Sequence, residues 1–273
     1  MLLFAAFSLA QKPIEIQLWP QGAPCSNGLT PQDEKVKNGQ VLYVEAPTLT
    51  VYVAPHGNGK AVVCCPGGGY AMLATGSEGH DMAQWFNAQG ITFAVLVYRM
   101  PNGHHEVPLS DARQALRIMR EHADEWHLNK IGIMGASAGG HLACTAATHL
   151  TFDSRPDFQI LLYPVVSMDS SITHMGSRLN LLGNHPADSL VRLYSNELQV
   201  TSSTPPAFIV LSSNDKIVPV ENSLRYYRAL VKNGVTASLH IYPVGGHGWG
   251  FRDNFPYKRE WTEELEKWLR EAL

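Results

Sequence analysis

The chain has 273 residues, 45% of them hydrophobic and 16% charged, and a formal net charge of −3. That length and apolar content suffice for one large α/β core. The slight acidity and the lack of a basic patch give no electrostatic basis for binding nucleic acid, and no apolar run is long enough to cross a membrane.

Residues 2–10 form a short apolar run ending in Ser8-Leu9-Ala10, just before Gln11. Small residues at those two places suit signal peptidase. Residues 1–10 therefore read as the remnant of a secretory signal, and the protein is expected in the periplasm or outside the cell. No Lys or Arg precedes Leu2, so the basic n-region is missing; an ordinary first strand is the other reading. Residues 14–19 and 48–53 alternate apolar and polar and predict antiparallel strands at a sheet edge. Between them runs a loop rich in Gly, Pro and Asn that contains Cys25. Residues 61–65 are continuously apolar, as in a strand covered on both faces, with Cys64 and Cys65 acting as small hydrophobes. With Cys144, the four cysteines have no zinc-site spacing.

The strand over 61–65 runs into Pro66-Gly67-Gly68-Gly69-Tyr70. Three consecutive glycines cost conformational entropy and fit either a plain turn or backbone amides offered to an oxyanion; the serine turn downstream favours the second. The Gly-x-Gly-x-x-Gly spacing of a dinucleotide site is missing. Thr75-Gly76-Ser77-Glu78 has capping-box spacing, so Glu78 and His80, although near the glycine loop, are assigned to the start of a helix over 81–89 that Gly90 stops. Residues 92–98 predict a buried strand. His104 and His105 lie in a loop without a suitably spaced third ligand, and no metal is expected there. A helix over 109–126 places Ala112, Ala115, Leu116, Met119 and Ala123 inward and Arg113, Arg117, Arg120 and Glu121 outward.

Residues 130–134 read as a strand, Gly135-Ala136-Ser137-Ala138-Gly139 as a sharp turn, and the small apolar residues to 147 as a packed helix. A turn of this kind holds a serine hydroxyl proud of the sheet, and its flanking glycines leave room where strand and helix nearly touch. The helix N-terminus favours the negative charge that develops in acyl transfer. Residues 159–164 predict another central strand. The stretch 165–206 breaks the strand–helix rhythm, holds a short helix over 188–193 and ends at Thr204-Pro205-Pro206; it reads as a small cap. Then come a strand over 207–212, a loop with Asp215, and a helix over 221–233 closed by Gly234. A strand over 238–242, the loop Gly245-Gly246-His247-Gly248-Trp249-Gly250 and a helix over 259–272 finish the chain. Strands alternating with helices after an antiparallel start predict a mostly parallel sheet with helices on both faces, as a single domain over 11–273.

Ligands of such a sheet sit beyond the carboxyl ends of its strands. Ser137, Asp215 and His247 all follow predicted strands there. A serine hydroxyl is a weak nucleophile until a neutral imidazole takes its proton, and a carboxylate on the other ring nitrogen fixes the tautomer. Tyr70 ends the glycine loop and Trp249 and Phe251 follow His247, which puts all three near the site, where an aromatic face would hold a sugar or simply pack into the core.

These motifs resemble the α/β-hydrolase superfamily, most closely its bacterial esterase branch with acetylxylan and feruloyl-type carbohydrate esterases. The dienelactone-hydrolase and prolyl-oligopeptidase families are neighbours. The resemblance runs from about Thr48 to the C-terminus. It rests on Pro66 to Tyr70, Val97-Tyr98-Arg99, Pro108-Leu109-Ser110-Asp111-Ala112-Arg113, the Gly135 turn through His141, Asp215-Lys216-Ile217-Val218-Pro219, and Gly245-Gly246-His247-Gly248. It implies Ser137 as nucleophile, His247 as base, Asp215 as the orienting acid, and an oxyanion hole from the N–H of Ala138 with that of Gly68 or Gly69. Pro66 departs from the His of many lipase-like relatives, so the bonds fixing that loop must differ. The expectation is a serine esterase that removes acetyl groups from plant cell-wall carbohydrates without metal or organic cofactor, Tyr70 and Trp249 holding the substrate. The expected partner is a small-molecule or oligosaccharide ester, with neither nucleic acid nor membrane. A peptidase or arylformamidase of the same fold, and a non-catalytic binding protein of that fold, are the alternatives.

Overall fold

The computed structural model describes residues 12–30, 36–37, 40–41, 44, 46–150 and 152–272. The secretory-signal reading of residues 1–10 lies outside them. In chain order the elements are β1 (Ile14–Gln17), β2 (Val36–Lys37), β3 (Gln40–Val41), β4 (Thr48–Tyr52), β5 (Lys60–Cys65), α1 (Ala83–Ala88), β6 (Thr92–Val97) and α2 (Glu106–Glu121). There follow β7 (Lys130–Ala136), α3 (Ser137–His149), β8 (Gln159–Leu162), α4 (Met175–Leu182), α5 (Asp188–Leu193), β9 (Ala207–Ser212), α6 (Glu221–Lys232), β10 (Ala237–Tyr242) and α7 (Lys258–Glu271).

Eight strands form one open sheet in the order β1-β4-β6-β5-β7-β8-β9-β10. The two pairings at the β1 end are antiparallel and the rest are parallel. The residue pattern explains this division. Strand β4 buries alternate residues, as a strand with one wetter face does. Strands β5 to β9 are buried at consecutive positions, so helices and loops cover both of their faces.

Register sets the site. Cys65 pairs with Gly135, Ala136 with Leu162, Leu162 with Val210, and Ser212 with Tyr242. The carboxyl ends of β5, β7, β8, β9 and β10 are therefore level along one edge. Strand β5 leads sideways to β6, and the chain then returns past it to β7. The switch point between β5 and β7 is where an open α/β sheet leaves a crevice.

Three local expectations change. Helix α2 starts at Glu106, three residues before the predicted start, because Pro108 falls in the first turn, where its missing N–H has no intrahelical role. The predicted helix over 81–89 is a 3₁₀ turn over His80–Met82 followed by α1, and its N-cap, Gly79, makes no side-chain bond. The cap stretch holds a second short helix, α4, beside the expected α5.

Candidate active site

Strand β7 ends at Ala136 and α3 begins at Ser137, which sits at φ +52°. A Cβ on Gly135 would lie 2.1 Å from the Gly139 carbonyl oxygen, and one on Gly139 would lie 2.0 Å from that of Cys65. Both positions need glycine for the helix to start this close to the sheet. The Ser137 carbonyl accepts the Val165 N–H at 3.0 Å, which ties the turn to the end of β8.

Two loops from neighbouring strand ends meet this hydroxyl. His247 Nε2 is 2.8 Å from Ser137 Oγ, and His247 Nδ1 is 2.6 Å from Asp215 Oδ2. The other Asp215 oxygen accepts the N–H groups of Ile217 and Val218 at 2.8 and 3.0 Å. The carboxylate is thus anchored on one side and points at the ring with the other. Its side chain is fully buried, and Ser137 is buried beside it. Gly246 N–H donates to Asn214 Oδ1 at 2.8 Å, holding the histidine loop against the aspartate loop.

The glycine loop lies across from these groups. A Cβ on Gly67 would lie 3.0 Å from Ser137 Cβ, so this loop passes directly beside that serine. Pro66, which replaces the usual His, is fixed through its carbonyl by the Tyr98 hydroxyl at 2.7 Å. The Gly67 N–H donates to Glu78 Oε2 at 2.8 Å, so it is already engaged and the next two amides, Gly68 and Gly69, are the candidates for an oxyanion. The Ala138 N–H belongs to the first turn of α3, which has no intrahelical acceptor for it.

Two sequence assignments are corrected here. Tyr70 is 2% exposed, and its hydroxyl bonds to His141 Nδ1 at 2.9 Å. Trp249 is 3% exposed, stacks on Phe255 with centroids 4.1 Å apart, and donates Nε1–H to Ser212 Oγ at 3.1 Å. Neither ring offers a face to a sugar, because each fills core space beneath the loops. Phe251 is half-buried, with Lys258 Nζ 3.9 Å above its ring.

Glu78 is the main residue that sequence reasoning misplaced. It is buried rather than capping a helix. Its Oε1 accepts the Tyr163 hydroxyl at 2.8 Å, and the Cys64 thiol donates to its carbonyl at 3.2 Å. Capping-box spacing is the same whether the glutamate turns out or in, so no sequence signal separated the two. His174 was also missed. It precedes α4, is half-buried, and lies so that a Cβ on Gly69 would be 3.5 Å from its Cε1. Burial holds its ring below the usual histidine range; the charge of His247 adds to that shift and Asp215 opposes it. Asn180 of α4 donates to the Gly69 carbonyl at 2.8 Å. The cap stretch therefore grips the glycine loop directly.

The strand order and the sharp turn at Ser137 define the α/β-hydrolase class of fold. Within it, the prolyl oligopeptidase family model matches residues 83–273, and the chain belongs to that family. An acetylxylan esterase of Xylanibacter ruminicola is 40% identical over 228 residues, covering 81% of this chain and 48% of the relative. An endo-1,4-beta-xylanase B of Butyrivibrio fibrisolvens is 34% identical over 235 residues, covering 79% and 36%. This chain thus spans no more than about half the length of these curated relatives. The crystal structure of an acetyl ester-xyloside bifunctional hydrolase from Caldicellulosiruptor lactoaceticus matches with a TM-score of 0.83 at 34% identity, covering 97% of this chain and 98% of that one.

Proposed function

We propose that the protein is a serine esterase that hydrolyses short acyl esters, acetyl above all, on carbohydrate substrates. The observation that carries this reading is the continuous chain from Ser137 Oγ through the His247 ring to Asp215, at 2.8 and 2.6 Å. In it, Ser137 attacks the ester carbonyl carbon as His247 Nε2 takes the hydroxyl proton. Asp215 holds Nδ1–H and stabilises the imidazolium. The tetrahedral oxyanion is met by the N–H of Ala138 and that of Gly68 or Gly69, an effect of about 2.7–4 kcal/mol per donor. The carbon–oxygen bond to the alcohol then breaks, His247 returns the proton to the leaving oxygen, and water repeats the sequence on the acyl-enzyme to release acetate.

Support for the acetyl-carbohydrate specificity comes from the relatives named as an acetylxylan esterase and an acetyl ester-xyloside hydrolase. The name of the matching family favours a second reading, hydrolysis of a peptide amide with the same residues. An exported enzyme, cleaved between Ala10 and Gln11, completes the proposal. The test compares nitrophenyl acetate, butyrate and octanoate with acetylated xylan and an aminoacyl anilide. Acetate and acetylated xylan are expected to be turned over best, and preference for the anilide or octanoate overturns the substrate class. Labelling by a fluorophosphonate should disappear in Ser137→Ala; an unlabelled native protein leaves only a binding role.

A further inference from the structure

We propose that Glu78 is a positioning residue for this hydrolysis: its buried carboxylate ties the glycine loop to the histidine loop, and its negative charge supports the imidazolium form of His247. The proposal rests on the esterase reading above and adds to it a second carboxylate that touches neither substrate nor the reacting atoms.

Two hydrogen bonds end on this carboxylate, and a third extends them to the histidine loop. Oε2 accepts the Gly67 N–H at 2.8 Å, Oε1 accepts the Tyr163 hydroxyl at 2.8 Å, and the Tyr163 oxygen in turn accepts the Gly250 N–H at 2.8 Å. The Gly250 amide can only donate, so the Tyr163 oxygen accepts there and its own proton is left for Glu78. Both carboxylate oxygens then act as acceptors, the arrangement that an ionised group fits. Burial raises the Glu78 carboxyl above its usual range, while the bonds from Tyr163 and Gly67 and the charges of His247 and Arg252 pull it back.

Contacts show what the network holds. Gly67 is squeezed between Glu78 and Ser137: a Cβ there would lie 2.5 Å from Glu78 Oε2 and 3.0 Å from Ser137 Cβ. On the other side, a Cβ on Gly250 would lie 2.3 Å from the Ser77 carbonyl oxygen and 3.2 Å from Glu78 Cγ, and Phe251 N–H donates to that carbonyl at 2.7 Å. Between the two loops stands Tyr163, at φ +36°, with its ring edge-on to His247 at 4.8 Å. A strained tyrosine and a desolvated carboxylate both oppose stability, and both converge on the two loops that must align to one ångström or better. Around His247 the titratable and charged neighbours are Asp215, Glu78, His174 and Tyr163; around Glu78 they are Tyr163, Tyr98, Cys64, His247 and Arg252.

Glu78→Gln keeps the shape and removes the charge. With nitrophenyl acetate, kcat is expected to fall about 10- to 100-fold with KM little changed. The acid limb of kcat/KM should move to lower pH by about half a unit or more, because the imidazolium loses a nearby negative charge. A purely structural carboxylate lowers the rate and leaves the limb in place, and that result overturns the proposal, as does an unchanged rate. If Glu78→Gln does not fold, Tyr163→Phe keeps the ring against His247 but cuts the link to Gly250. A kcat reduced about threefold or more with KM unchanged then supports the tie, and a native kcat, or a loss shared with KM, overturns it. An inactive native enzyme overturns the esterase reading itself, which separates the two failures.

Discussion

Asp215 illustrates how much a single atom can decide. Its Oδ1 is committed to two backbone amides, Ile217 and Val218, so only Oδ2 is left for His247. In Asp215→Asn the side-chain oxygen must keep those amides, and the NH₂ group then faces Nδ1. The ring is forced to carry its proton on Nε2, where it cannot accept one from Ser137. Turnover of nitrophenyl acetate should drop by about 10⁴-fold with the far-UV spectrum of the native fold, and a loss under tenfold contradicts the assigned geometry. Ser137, Asp215 and His247 were legible in the chain because each follows a predicted strand, and parallel strands deliver their carboxyl ends to one edge. Tyr70 and Trp249 were not, since proximity in sequence says nothing of whether a ring faces solvent or core. Glu78 was hidden by a spacing that suits a helix cap equally well.

At the level of elements, the buried strands were readable from their unbroken apolar runs, and β9 spans the same residues as predicted. Helix α4 escaped because it contains Gly176 and Asn180 and is capped by a histidine, His174, whose ring accepts the Ser177 N–H in place of the usual Ser, Thr, Asp or Asn side chain. What pins α2 to the sheet also escaped. Asp111 is fully buried on that helix, where it takes the Arg99 guanidinium at 2.7 Å, the Arg99 N–H at 3.0 Å and the Trp19 Nε1–H at 2.7 Å. Three segments therefore share one carboxylate: the loop after β1, the residues just past β6 and the first half of α2. Asp111→Ala leaves a buried cation and a buried indole N–H without that acceptor, and should cost about 3–5 kcal/mol in urea unfolding. Replacing both charged partners, as Arg99→Met with Asp111→Leu, should recover most of the loss, because the penalty comes from the stranded charge. A single-variant cost below about 1 kcal/mol would show the pair to be dispensable.

Across the whole molecule, the cap stretch and the glycine loop are joined through α3 by one histidine. His141 Nε2 lies 2.8 Å from the Tyr194 carbonyl, which can only accept, so the ring carries its proton there and Nδ1 accepts the Tyr70 hydroxyl at 2.9 Å. Two more histidines grip the same end of α5: His105 Nδ1 bonds to the Tyr194 hydroxyl at 2.7 Å, and His149 Nε2 to the Leu193 carbonyl at 3.1 Å. Burial pushes all three rings below the usual histidine range, His141 to about 4. The sign of the effect on stability follows. Well above pH 6.5 His141 is neutral in both the folded and unfolded chain and contributes no pH dependence. As the pH falls toward 4 the unfolded chain takes up the proton and the folded one does not, so stability is lost through that window. His141 alone should account for about 2 kcal/mol between pH 7 and 5, the slope steepening toward about 1.36 kcal/mol per unit below pH 6.5. His141→Gln can still donate to the Tyr194 carbonyl but cannot titrate. Urea unfolding at pH 7 and pH 5 should find the variant less stable than the native chain at pH 7 yet losing about 2 kcal/mol less on acidification, with His105 and His149 cancelling in the comparison. Equal losses in the two proteins would mean that the junction between cap and glycine loop is insensitive to the charge of this ring.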